Sequence, residues 1–170
     1  MTARVLGEAL VAECEFRLFE QSFPRLRKCI ALMSEEELWF RPNAETVSAG
    51  NLVLHLCGNM RQWICSGLGS EPDRRKRAEE FTEPGPMPKS LLYEKLDTIE
   101  RDAKAVLRRV DPETLLDKRP VQAYEETGLS CLVHVVEHFS YHVGQITYMV
   151  KSRLAVDTQY YAGEDLNKTV

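Results

Sequence analysis

Phe16, Phe19, Phe23, Leu26, Ile30 and Met33 recur at alternating spacings of three and four. This is the seam of an amphipathic helix and predicts a first helix over roughly residues 5–33. Pro24 lies inside the seam and removes one backbone donor, yet the period runs through it unshifted, which predicts a kink rather than a break. Ser34 followed by three glutamates reads as a capping box opening one short turn, ended by Arg41, Pro42 and Asn43. Ser48 is the expected N-cap of a second helix reaching about Ser66, where Gly67 and Gly69 supply a stop. Its apolar band is broad: Leu52, Leu56 and Trp63 stand beside Val53, Cys57, Met60 and Ile64, so more than one side is packed.

Residues 68–89 hold four prolines and mixed charges and read as one long connection. A third helix is predicted from Ser90 to about Val110, with Leu92, Leu96, Ile99, Ala103, Val106 and Val110 as its seam. Asp111, Pro112 and Glu113 then form a cap with proline at the first helical position, so another short turn follows. Residues 117–126 read as irregular, and a fourth helix opens at Thr127 or Ser130 and runs to about Arg153. The tail from Ala155 is polar, with Tyr160 and Tyr161, and its pattern favours no element. Four long helices without strand pairs or repeats predict an all-α chain, a four-helix bundle in a single domain over residues 1–170, with the long connection as its crossover.

Composition leaves that picture in place: 44% of the 170 residues are apolar and 28% charged, the balance of a protein with a real core. A formal charge of −4 gives no reason to expect a nucleic-acid partner, whose affinity rests on neutralised phosphates. The one basic run, Arg74 to Arg77, is flanked by Glu71, Asp73, Glu79 and Glu80 and reads as solvated linker. No apolar run is long enough to span a membrane, and Glu8, Glu13 and Glu15 interrupt the N-terminal segment from Met1, so neither membrane nor signal sequence is expected. Five cysteines (Cys14, Cys29, Cys57, Cys65, Cys131) without a CxxC pair fit reduced thiols in a cytoplasmic protein.

The chemistry lies in four histidines. His134, His138 and His142 are spaced by four on the fourth helix, and His55 sits mid-way along the second. At about 3.6 residues per turn, His138 and His142 share the apolar face of Cys131, Val135, Ile146 and Met149, while Glu137, Ser140, Gly144 and Lys151 fall opposite. Buried imidazoles need partners, and two at i and i+4 can converge on a divalent metal ion if a third ligand comes from another helix. His55 is the one other histidine. His134 and His142 stand roughly 12 Å apart along the axis and cannot hold the same ion, so the residues leave two pairs open, with His138 in both. The zinc-protease pattern HExxH is absent.

Two segments carry a resemblance: Asn51, His55, Asn59, Arg61, Gln62 and Trp63 on the second helix, and Glu137, His138, Tyr141, His142, Gly144, Gln145 and Ile146, of the form HxxYHxGQ, on the fourth. In them the chain resembles the DinB-like superfamily of metal-binding helical proteins, which includes thiol-dependent S-transferases of the bacillithiol and mycothiol type. The resemblance implies a four-helix bundle with a long crossover, frequently a homodimer, holding one zinc or nickel ion on His55, His138 and His142. His134, Asn59, Tyr141 and Gln145 then belong to the surrounding pocket, and no catalytic residue is named. Arg61 and Gln62 read as surface residues, and Asn59 as a buried amide satisfied by backbone.

Three histidines leave a coordination position open, which marks a catalytic metal. The first expectation is an S-transferase, in which a low-molecular-weight thiol held at the metal attacks a small electrophilic substrate. The alternatives are a hydrolase using metal-bound water, for which the sequence offers no clear acid or base, and a non-catalytic metal-binding module.

Overall fold

The computed structural model describes residues 2–169; Met1 and Val170, the two ends of the expected domain, lie outside the described residues. The first helical stretch is continuous: α1 (Ala3–Glu15) passes through a π-helical segment, Phe16–Ser22, into α2 (Phe23–Leu32). Thr2 caps its start by accepting a hydrogen bond from Val5 N–H. The disturbance expected at Pro24 is taken up in the preceding turns, where Phe23 N–H reaches back five residues to the Leu18 carbonyl. Widening the ladder before a residue that has no N–H keeps the helix unbroken.

The short helix α3 (Glu35–Trp39) has the expected Ser34–Glu37 capping box. A second box at Ser48 and Asn51 opens α4 (Ala49–Met60), which continues as a π-helical segment, Arg61–Leu68, to a C-cap at Gly69. The connection that follows is less featureless than its sequence, since it contains the helix α5 (Arg77–Thr82) lying on α4. Next come α6 (Lys89–Leu107), a 3-10 turn at Pro112–Thr114, and α7 (Gly128–Leu154), whose N-cap Thr127 accepts from Ser130 N–H.

Residues expected to be irregular form an antiparallel hairpin, β1 (Lys118–Val121) with β2 (Tyr124–Thr127), registered Lys118 to Thr127 and Val121 to Tyr124. Periodicity had nothing to detect there. Only Val121 is buried, and the turn is Gln122-Ala123, with Gln122 at positive φ in place of the usual Asn-Gly.

The architecture is therefore mostly helical with one small hairpin. α7 packs on α2, on α4 and on the Arg61–Leu68 segment, which in turn meets α6. Phe23, Leu26 and Ile30, Leu52 and Leu56, Leu92 and Leu96, and Val135, Phe139 and Ile146 meet in one core, each at most 2% exposed. Each such side chain contributes roughly 1.5–3 kcal/mol on burial. The tail is anchored by Tyr160, whose hydroxyl lies 2.7 Å from Thr147 Oγ1 and 3.0 Å from Cys29 Sγ. No described helix is long and apolar enough to cross a membrane.

Candidate metal centre

Capping and core packing together aim the histidines. Ser48 fixes the start of α4, and Leu52, Val53 and Leu56 turn its apolar face inward, carrying His55 with them to 4% exposure. On α7, His138 and His142 flank Phe139, which is buried in the core, and stand half-buried one turn apart. The ring centroids lie 4.9 Å apart for His55 and His138, 5.0 Å for His55 and His142, and 4.5 Å for His138 and His142. One ring nitrogen from each falls within 4.8 Å of the others, so the three could hold a metal ion. Imidazole ligands lie about 2.0–2.1 Å from zinc, a spacing this cluster can meet.

The far edges of two rings are already engaged. His55 Nδ1 lies 2.9 Å from Glu80 Oε2. Burial raises the Glu80 pKa, but hydrogen bonds from Arg75 and His55, together with their charges, outweigh it and hold the carboxyl below its ordinary value. An ionised carboxylate only accepts, so His55 Nδ1–H is the donor, and Nε2 is the nitrogen that faces the cluster. Arg75 Nη2 also comes within 3.1 Å of Nδ1, but its N–H is directed to Glu80 Oε2 at 2.8 Å. His142 Nδ1 lies 2.7 Å from Gln145 Oε1, and Gln145 Nε2 donates to the Tyr141 hydroxyl at 3.2 Å. The third ring, His138, places Nε2 only 2.9 Å from His55 Nε2.

Burial, and then the neighbouring His142, His55, His134 and Arg75, press the His138 pKa down to about 3. His142 and His134 are lowered as well, chiefly by burial. All three are neutral at physiological pH, the form that binds metal. The same shifts set an acid limit. Below about pH 6.5 the unfolded chain takes up protons that the folded chain refuses, so stability rises with pH in that window. The metal-free protein should lose stability progressively as pH falls from about 6.5 towards 3. Urea midpoints between pH 7.5 and 5 test this, and His138→Asn should flatten the slope above the carboxylate range.

The other sequence-derived candidates divide. His134 is outside the converging group: it stacks on Trp63 at 3.8 Å and receives Asn59 Nδ2 at 3.2 Å. Asn59 is thus satisfied by a histidine side chain rather than by backbone. Tyr141 is 62% exposed and touches the centre only through Gln145 and the edge of His142. Arg61 and Gln62, expected at the surface, are both engaged. Arg61 pairs with Asp102 of α6 at 2.7 Å, and Gln62, 6% exposed, bonds Asp73 and Arg75.

The largest correction concerns the basic run. Arg75, expected in solvated linker, has a side chain 3% exposed and clasps Glu80, itself 10% exposed, directly behind His55. Two charges of a polar run gave no sign of inward orientation. Gly58 did: a glycine mid-helix is unfavourable without a reason. A Cβ there would overlap Glu80 Oε1 and stand 3.0 Å from Arg75 Nε.

A family model described as "Protein of unknown function (DUF1572)" matches residues 12–161, a span that includes all four histidines. No curated protein and no solved structure matches the chain.

Proposed function

Starting from the fact that the chain belongs to the DUF1572 family, we propose that it is a metal-dependent enzyme of S-transferase type, with one divalent ion held by His55, His138 and His142. The observation that carries this reading is the convergence of three imidazole nitrogens, two of them with the opposite nitrogen already committed to Glu80 or Gln145. That arrangement supports the ligand role because metal-binding histidines are ordinarily oriented through their second nitrogen. Four long helical stretches with an extended connection between the second and third support a four-helix bundle of the DinB-like kind. Zinc and nickel suit the all-imidazole set.

When bound, the ion supplies an open position that holds a small thiol as its thiolate. The chain's own part is to present three imidazole donors, to orient two of them through Glu80 and Gln145, and to withhold competing nucleophiles. Burial pushes the thiols of Cys14, Cys65 and Cys131 up to about 11 and that of Cys57 to about 12, so these stay protonated at neutral pH. Cys29, 0% exposed, has its Sγ 3.0 Å from the Tyr160 hydroxyl, so we read the attacking sulfur as that of a low-molecular-weight thiol. Its partner is a small electrophile, whose carbon gains the sulfur as its leaving group departs. Hydrolysis would ask for a free base beside the ion, and both oxygens of Glu80, the carboxylate bonded to His55, are occupied.

The test compares zinc- or nickel-loaded protein with chelator-stripped protein. Each is incubated with 1-chloro-2,4-dinitrobenzene and, in turn, cysteine, glutathione, bacillithiol and mycothiol. Conjugation above the uncatalysed rate with at least one thiol, abolished by stripping, is expected. Metal-loaded protein inert with all four thiols rejects the transferase reading.

A further inference from the structure

A chain of part-buried polar contacts runs from the surface to the histidines through the connection between α4 and α6. Gln62 Nε2 donates to Asp73 Oδ2 at 2.7 Å, and Gln62 Oε1 accepts from Arg75 Nη1 at 2.8 Å. Arg75 then donates Nε to Glu80 Oε1 at 2.7 Å and Nη2 to Glu80 Oε2 at 2.8 Å, and Glu80 Oε2 accepts from His55 Nδ1 at 2.9 Å. Four residues of α4 and its π-helical extension shape the seat. Gly58 opens the space, Gln62 reaches across, Asn51 donates to the carbonyls of Glu80 and Glu83 at 3.0 and 2.9 Å, and His55 meets the Phe81 ring at 4.7 Å. From the other side Arg41 donates to the Phe81 carbonyl at 2.7 Å.

We propose that Glu80 and Arg75 are positioning residues of the metal centre, delivered by the connection, so that closure of this segment over α4 and metal binding strengthen one another. The inference rests on the three-histidine reading and adds to it a regulated outer layer.

Three physical points support it. A buried ion pair costs desolvation that its attraction barely returns, so burial of Arg75 and Glu80 against a ligand is poorly explained as a stabilising staple. A carboxylate on Nδ1–H fixes the tautomer and raises the basicity of Nε2, the nitrogen that faces the cluster. Arg75 engages both carboxylate oxygens, so Glu80 is held behind His55 and kept from becoming a ligand itself. The pair also lines a cleft of about 1040 Å³ between α4, the connection and α6. Whatever opens the connection therefore removes the support of His55. By reciprocity, metal that prefers the supported His55 must favour closure by the same factor.

The experiment uses the full chain and zinc alone. Affinity is read by competition with a chromophoric chelator, and closure by hydrogen exchange of the amides of residues 75–83 with and without zinc. Glu80→Gln keeps the shape but not the charge, and Gly58→Ala crowds the pair while leaving both of its side chains in place. Each is expected to weaken zinc binding about 10–100-fold. Zinc should slow exchange of the segment in the wild type and much less in Glu80→Gln. Glu80→Gln that folds and binds zinc like the wild type, with the same zinc-dependent protection, overturns the positioning role while leaving the three-histidine centre intact. Gly58→Ala is read only if its circular dichroism matches the wild type; Glu80→Gln decides the matter alone. A wild type that takes up no zinc overturns the centre and the inference together.

Discussion

His138→Ala is expected to purify without metal, while the wild type carries one ion per chain. His138 is the hinge of the cluster: its ring centroid lies 4.5 Å from that of His142 and 4.9 Å from that of His55, and its Nε2 is 2.9 Å from His55 Nε2. Removing it leaves two imidazoles on different helices. Changing a residue that merely orients a ligand costs about 10–100-fold in affinity, so loss of the ligand itself should exceed the top of that range. The fold should persist. His138 is a half-buried ring whose charging is strongly opposed, and although alanine takes the 2.9 Å partner from His55 Nε2, Glu80 and Gln145 keep their own histidines. Elemental analysis of both proteins, purified side by side, checks the prediction. Stoichiometric metal in both would remove the central claim.

Phe139→Ala should have the largest effect on stability. Phe139 is 1% exposed and stacks on Phe23 at 4.9 Å with the rings 20° apart, joining α7 to α2 at the level of the histidines. Truncating a buried phenylalanine costs about 3–5 kcal/mol through lost burial and the cavity left behind. For a chain of this size each kcal/mol shifts Tm by about 2–4 °C, so a fall of roughly 6–20 °C is expected in the metal-free protein. Metal affinity should drop too, because Phe139 sits between His138 and His142 and its packing sets the rotation of α7. Urea unfolding of the variant measures the first effect. A loss below about 1 kcal/mol would mean that this contact does not hold the two helices together.

How much was legible in advance differs from element to element. The seams of α2, α6 and α7 and the caps at Ser34, Ser48, Asp111 and Thr127 were written in the chain, since capping and periodicity are local. The hairpin at 118–127 was not, because its ladder is backbone hydrogen bonding between mostly polar residues with no apolar alternation. The π-helical segments before Pro24 and after Met60 were equally silent. In each, the hydrophobic period absorbs the extra residue.

By itself the sequence determined that the chain is mostly helical, where its long helices start, and that His138 and His142 share a buried face with His55 as the candidate from another helix. The tertiary structure alone decided that His55 meets that pair, that His134 goes to Trp63 and Asn59 instead, and that Arg75 and Glu80 turn inward from a run of charges. The reason is physical. A helix reports its own face through its period, but the direction of a charged side chain on a connection is set by the partner it reaches, here the space left by Gly58 and the Nδ1 of His55.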